Sequence, residues 1–152
     1  MLRIKHAFTA GLLLLVAACA STPQATAERD REAKRLGAQP GSSTIFVYRS
    51  DFPGAPEDTV LWINGRLIGA TLPKSFFRID VNPGSQQLSG FGGDNGGMHL
   101  ETHPGEMYFI RLDTFAGQST FERMESAAGR RELTACCALL ENWRPGQRPL
   151  LR

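Results

Sequence analysis

No stretch of this sequence reaches the roughly 20 apolar residues that a helix needs to cross a bilayer. The longest apolar run, Ala7 to Ala18, is interrupted by Thr9 and Gly11. Histidine and cysteine are scarce, at three residues each, which leaves few partners for metal or thiol chemistry. Neither a G-x-S-x-G turn nor a cysteine beside a histidine occurs, and the only adjacent carboxylates are Glu57 and Asp58. Nucleophilic and acid–base catalysis need such groupings. No enzymatic activity and no cofactor are therefore expected.

What stands at the start of the chain is more telling. MLRIKH carries Arg3 and Lys5 and no acid, and the apolar run follows directly. A basic segment, a short apolar segment and small residues before a cut make a secretory signal over residues 1–18. Losing Arg3 and Lys5 with it leaves fifteen basic against fifteen acidic residues. A mature chain without net charge lacks the basic footprint of a nucleic-acid binder. His6 is lost with the signal too.

The signal closes on Val16-Ala17-Ala18-Cys19, which resembles the lipobox of bacterial lipoproteins. That resemblance implies a diacylglycerol on the Cys19 thiol, cleavage before it and acylation of the new amine. The lipid bilayer is then the first expected partner, through acylated Cys19. Ala20 stands where an Asp retains such lipoproteins in the inner membrane, so the resemblance implies the periplasmic face of the outer membrane.

Residues 19–42 read as the lipidated N-terminus and a tether. Ala27 to Leu36 has helical composition, with Asp30 and Lys34 as an i, i+4 pair, but no apolar stripe. A frayed, solvated helix is the expectation. From residue 43 to residue 142 the pattern changes to short β-rich runs. Ile45 to Tyr48 is followed by Val60 to Ile63 and Leu67 to Ala70, joined through Asn64-Gly65, the strongest short hairpin signal. Ser75 to Val81 alternates, with Phe77, Ile79 and Val81 on one face and Phe76, Arg78 and Asp80 on the other. Gln86 to Phe91, Met98 to Thr102, Glu106 to Asp113 and Ser119 to Met124 complete the strands. Leu133, Cys136, Cys137 and Leu140 fall at helical spacing, predicting a helix over 127–141. The expected fold is mainly β, an antiparallel β-sandwich or meander of seven to eight short strands with one C-terminal helix. Residues 143–152 read as a tail.

Several of these pieces, in order, resemble one bacterial lipoprotein family, catalogued as domain of unknown function 2846. They are Ile45-Phe46-Val47-Tyr48-Arg49, Trp62-Ile63-Asn64-Gly65 with Gly69, Val81-x-Pro83-Gly84 with Leu88, Pro104-Gly105-Glu106 and Gly129-Arg130-Arg131-Glu132-Leu133. The stretch from Trp62 to Leu88 is also similar to PEGA-type β-sandwich modules. These resemblances imply a periplasm-facing β domain acting as an adaptor. Where the family carries a histidine after the Pro-Gly turn, Gln86 and Gln87 stand here.

Other constellations have bland readings. His99, Glu101 and His103 share one side of a strand, but alternate side chains stand about 7 Å apart, so a solvated face is expected and no metal. Gly90 to Gly97 breaks the G-x-G-x-x-G spacing at Asn95 and has no following Lys-Ser/Thr, so it reads as a hairpin loop with Asp94 and Asn95 at its tip. The aromatics Phe76, Phe52 and Trp143 fall outside the obvious core; with the loop tip they form the expected binding surface. An envelope protein or a glycan is the expected further partner. Cys136 and Cys137 are expected as reduced, buried thiols, because successive side chains on a helix diverge. The function expected from the residues is a membrane-anchored, non-enzymatic adaptor. The alternative is an envelope stress or remodelling accessory protein binding a glycan or small ligand at the glycine-rich loop.

Overall fold

A computed structural model describes residues 22–50, 59–90, 96–115 and 118–142. Among these residues nine strands and two helices occur in one order: α1 (Ala27–Ala33), β1 (Ser43–Arg49), β2 (Thr59–Ile63), β3 (Arg66–Thr71), β4 (Ser75–Val81), β5 (Gly84–Ser89), β6 (Gly97–Thr102), β7 (Met107–Phe115), β8 (Gln118–Met124), α2 (Ser126–Cys136) and β9 (Ala138–Leu139). The strands form a five-stranded sheet, β8-β7-β1-β4-β9, and a four-stranded sheet, β3-β2-β5-β6. The fold is mainly β, as expected. Its pairing is not wholly antiparallel, since β1 runs parallel to β7 and β4 parallel to β9. No helix among the described residues is long and apolar enough to cross a membrane.

Alternation along each strand builds two cores rather than one. Ile45 and Val47 of β1, Phe77, Ile79 and Val81 of β4, and Tyr108, Ile110 and Leu112 of β7 face the small sheet. They pack there with Leu61, Ile63, Leu88 and Leu100. The other faces of the same strands carry Phe46, Tyr48, Phe76 and Phe109, which form a second cluster with Ala33, Leu36, Leu133, Cys137 and Leu139. Helices thus cover the five-stranded sheet on the side away from the small sheet, giving three layers. This is why β1 and β4 are buried along their whole length.

Helix α2 comes so close to β7 that a β-carbon on Gly129 would lie 2.4 Å from the Cβ of Phe109. Only glycine fits that crossing. At the β2–β3 turn, Asn64 and Gly65 have φ of 52° and 72°, the left-handed pair that the Asn-Gly hairpin requires. Asn64 Nδ2 donates to Gln86 Oε1 at 2.7 Å, and Gln86 Nε2 donates to the Asn82 carbonyl at 2.8 Å. Buried Gln86 therefore fastens two turns together.

Three expectations are corrected. First, residues 22–36 are not a solvated tether. Ala33 and Leu36 are buried in the second core, and Gln24 bridges to Leu140. Ala25 N–H donates to the Leu139 carbonyl, and Glu141 N–H to the Pro23 carbonyl, both at 2.8 Å. Arg29 also pairs with Glu141. The docking works through backbone pairing at a sheet edge, so it needs no apolar stripe on the helix. Second, the C-terminal helix stops at Cys136. Cys137 is extended, with φ −124° and ψ 146°, and Ala138–Leu139 joins the sheet beside β4. Third, Cys136 and Cys137 are joined in a disulfide rather than held as free thiols. The steric objection to such a pair applies inside a helix, and the helix ends between them.

Candidate functional site

The helix layer leaves one end of the five-stranded sheet open. Beyond the last turn of α2, the face of β7 that carries Phe109 continues through Arg111, Asp113 and Phe115. Together with Ser50, at the end of β1, and Thr114 these residues line a groove of about 500 Å³. Phe115 is 79% exposed, an unusual setting for a phenyl ring on a strand.

Arg111 organises the inner wall. Its Nε lies 3.2 Å from Asp113 Oδ2, one terminal nitrogen 2.5 Å from Glu122 Oε2 and the other 3.8 Å from Glu132 Oε2. The three carboxylates come from β7, β8 and α2, so one guanidinium ties the helix to two strands. Burial works against its charge, yet Asp113, Glu122 and Glu132 outweigh it and hold the guanidinium above its ordinary value. Tyr48 donates its hydroxyl proton to Glu132 Oε2 at 2.8 Å. Burial first, and that bond next, push the hydroxyl well above the ordinary tyrosine range. Behind the wall, Arg49 donates to Thr114 Oγ1 at 3.0 Å and to Thr71 Oγ1 at 3.3 Å. Cys137 Sγ packs 3.3 Å from the Arg49 carbonyl.

Arg111 is engaged by three carboxylates, of which Asp113 also lines the groove. The lining is one phenyl ring, two hydroxyls, a guanidinium and a carboxylate.

The residues singled out from the sequence are not gathered there. Phe76 is 1% exposed, with its ring 6.3 Å from that of Phe46. It is part of the second core, and the expectation that it lies on a binding surface is corrected: the docked N-terminal segment and α2 cover it. Cys19, Phe52, Asp94, Asn95 and Trp143 lie outside the described residues. His99 and Glu101 are exposed on β6 and His103 in the turn after it. Among the described residues no three His, Cys, Asp or Glu side chains gather as metal ligands would.

The Tyr48–Glu132–Arg111 network joins three elements distant in sequence, and its residues are not among the site residues the sequence singles out. Its one sequence signal is Arg111-x-Asp113, two charges at period two within an apolar strand.

A Haemophilus influenzae protein described as "Uncharacterized protein" is 32% identical over 103 residues, 66% of this chain and 61% of that relative. The chain thus spans less than two thirds of the relative's length. No family model matches, and no solved structure matches.

Proposed function

We propose that this chain is a lipid-anchored protein facing the periplasm, which binds or braces a component of the cell envelope without turning it over. One observation carries the reading. The apolar run closes on Val16-Ala17-Ala18-Cys19, and the folded domain takes hold of the chain from Thr22 onward. An acylated cysteine at that point would place several long chains just outside a domain that is otherwise a β-sandwich with one helix-covered face. Each buried methylene contributes about 0.8 kcal/mol, so an anchor with several acyl chains does not leave a bilayer. The groove at Phe115 supports the binding half of the reading, since it offers an exposed phenyl ring beside polar side chains.

The test is Cys19→Ala in cells fed labelled palmitate. The wild-type chain should take up label and fractionate with outer membrane. The variant should take up none and appear as soluble periplasmic protein or uncleaved precursor. Label and membrane fractionation retained in the variant would overturn the reading.

A further inference from the structure

The small sheet has one face in the sandwich core; on the other, Val60, Trp62 and Ala70 are half-buried and Arg66 and Leu67 exposed. Leu61 and Ile63 of β2 point inward, which turns Val60 and Trp62 outward. The pairing sets Val60 opposite Ala70 and Trp62 opposite Leu67. Leu67 is 53% exposed, and Arg66 beside it is exposed as well. Farther along the same outer face stand polar Gln87, His99 and Glu101. The apolar residues are therefore gathered at one end, along the sheet's edge strand β3.

The chain enters the fold at that edge. A β-carbon built on Gly69 of β3 would meet the Thr22 hydroxyl at 2.8 Å and the Phe77 ring at 3.1 Å, so Thr22 rests against the edge strand β3 from its core-facing side. Three Cα–Cα steps separate Cys19 from Thr22, and they span at most about 11 Å. A lipid on Cys19 would thus hold Thr22, and β3 beside it, within about 11 Å of the acylated residue. Tryptophan beside an aliphatic residue and an arginine suits the membrane interface, where an apolar body meets a polar edge.

We infer that the outer face of the small sheet at Val60, Trp62, Leu67 and Ala70 lies on the bilayer surface, so that the leash orients the domain and the helix-covered side with its groove points away from the membrane. The inference rests on the lipid-anchor reading, and its test separates the two. Trp62 and Trp143 are the only tryptophans, so Trp143→Phe makes Trp62 the sole reporter. The acylated full chain is reconstituted into phosphatidylethanolamine–phosphatidylglycerol vesicles, with or without phospholipid brominated near the headgroup end of its acyl chains. Emission from Trp62 should shift to the blue and lose about half its intensity with the brominated lipid. Leu67→Glu, at an exposed position, should remove most of that quenching while leaving the acyl mass and flotation with the vesicles intact. If the protein carries acyl chains and floats but Trp62 is not quenched, the docking is overturned and the anchor stands. Absence of acyl mass and of flotation overturns both. A blue shift that requires an added envelope protein and is insensitive to brominated lipid also overturns the docking, in favour of a protein partner.

Discussion

Asp30→Ala tests whether the segment from Thr22 to Leu36 belongs to the fold. Asp30 Oδ1 accepts from the Leu139 N–H at 2.8 Å, and Oδ2 pairs with Lys34 Nζ at 2.8 Å. Leu139 is fully buried, so its amide has no water to turn to once the carboxylate is gone. Leaving a buried donor unsatisfied costs about 1–3 kcal/mol. Loss of the i, i+4 pair, with both partners about a fifth exposed, adds about 0.3–0.5 kcal/mol. Alanine's better helix propensity returns about 0.5 kcal/mol. The net expectation is a loss of about 2 kcal/mol. For a domain of this size that lowers the melting temperature by roughly 6–8 °C.

The comparison that makes the result specific is Asp30→Asn, which keeps an acceptor for Leu139. It should cost less than about 1 kcal/mol. Urea denaturation of the mature chain, followed by far-ultraviolet circular dichroism, measures both variants. Hydrogen exchange adds a local reading, in which the Leu139 amide is protected in the wild type and exposed in the alanine variant. The reasoning is refuted if Asp30→Ala matches the wild type, or if asparagine is as damaging as alanine. Either outcome would mean that α1 is not docked through this bond.

The remaining predictions concern the helix layer. Gly129→Ala should destabilise by about 1–2 kcal/mol despite the roughly 1 kcal/mol of helix propensity gained, because Phe109 Cβ is fixed to its strand and cannot rotate away; a variant as stable as the wild type in the same urea titration would contradict the close crossing. Tyr48 and Tyr108 are the only tyrosines, and burial, helped by Glu132 and Glu106, raises both hydroxyls. Their contribution to stability is therefore complete below the unfolded value near 10 and declines as pH rises above it, so tyrosinate absorbance at 295 nm from Tyr48 should appear only with alkaline unfolding while Tyr108 titrates above its ordinary value; a reversible rise of both near pH 10 in folded protein would refute it. Intact mass of unreduced protein should be two hydrogens below the dithiol form at Cys136 and Cys137. Reducing that bond should shift melting far less than the ~3 kcal/mol of a 15-residue loop, since it closes a ring with no residue between its ends; free thiols in native protein would contradict the pairing.

The strands were legible because their signals are local. Asn64-Gly65 names its own turn, and the alternation of Phe77, Ile79 and Val81 places the core face of β4 without reference to any neighbour. The parallel pairing of β1 with β7 was not legible, because it joins residues some sixty positions apart through backbone groups that every residue carries. The same reason hid the docking of residues 22–36. Ala33 and Leu36 alone make no stripe, and the bonds from Ala25 and Asp30 to Leu139 span more than a hundred residues. Once that segment docks, Phe76 must be buried, and its reading as a surface aromatic fails with the tether that was meant to leave it bare.

The two surfaces that remain differ in how they could have been found. The hairpin register follows from a two-residue turn, so Trp62 opposite Leu67, with inward Leu61 and Ile63 on either side of Trp62, could have been written down from residues 60–70 alone. The groove could not, because Glu132 reaches Arg111 only through the path of α2, and that path depends on Gly129. Both surfaces follow from how the layers end. Helix α2 crosses the five-stranded sheet over Phe109 and Tyr48 and ends at Cys136, leaving Arg111 and Asp113 half-buried and Phe115 exposed. On the outer face of the small sheet Trp62 is half-buried and Leu67 exposed. The chain enters beside β3, at the edge where the two sheets meet. If the entry side is held to a membrane, the groove is the face presented to whatever the domain meets.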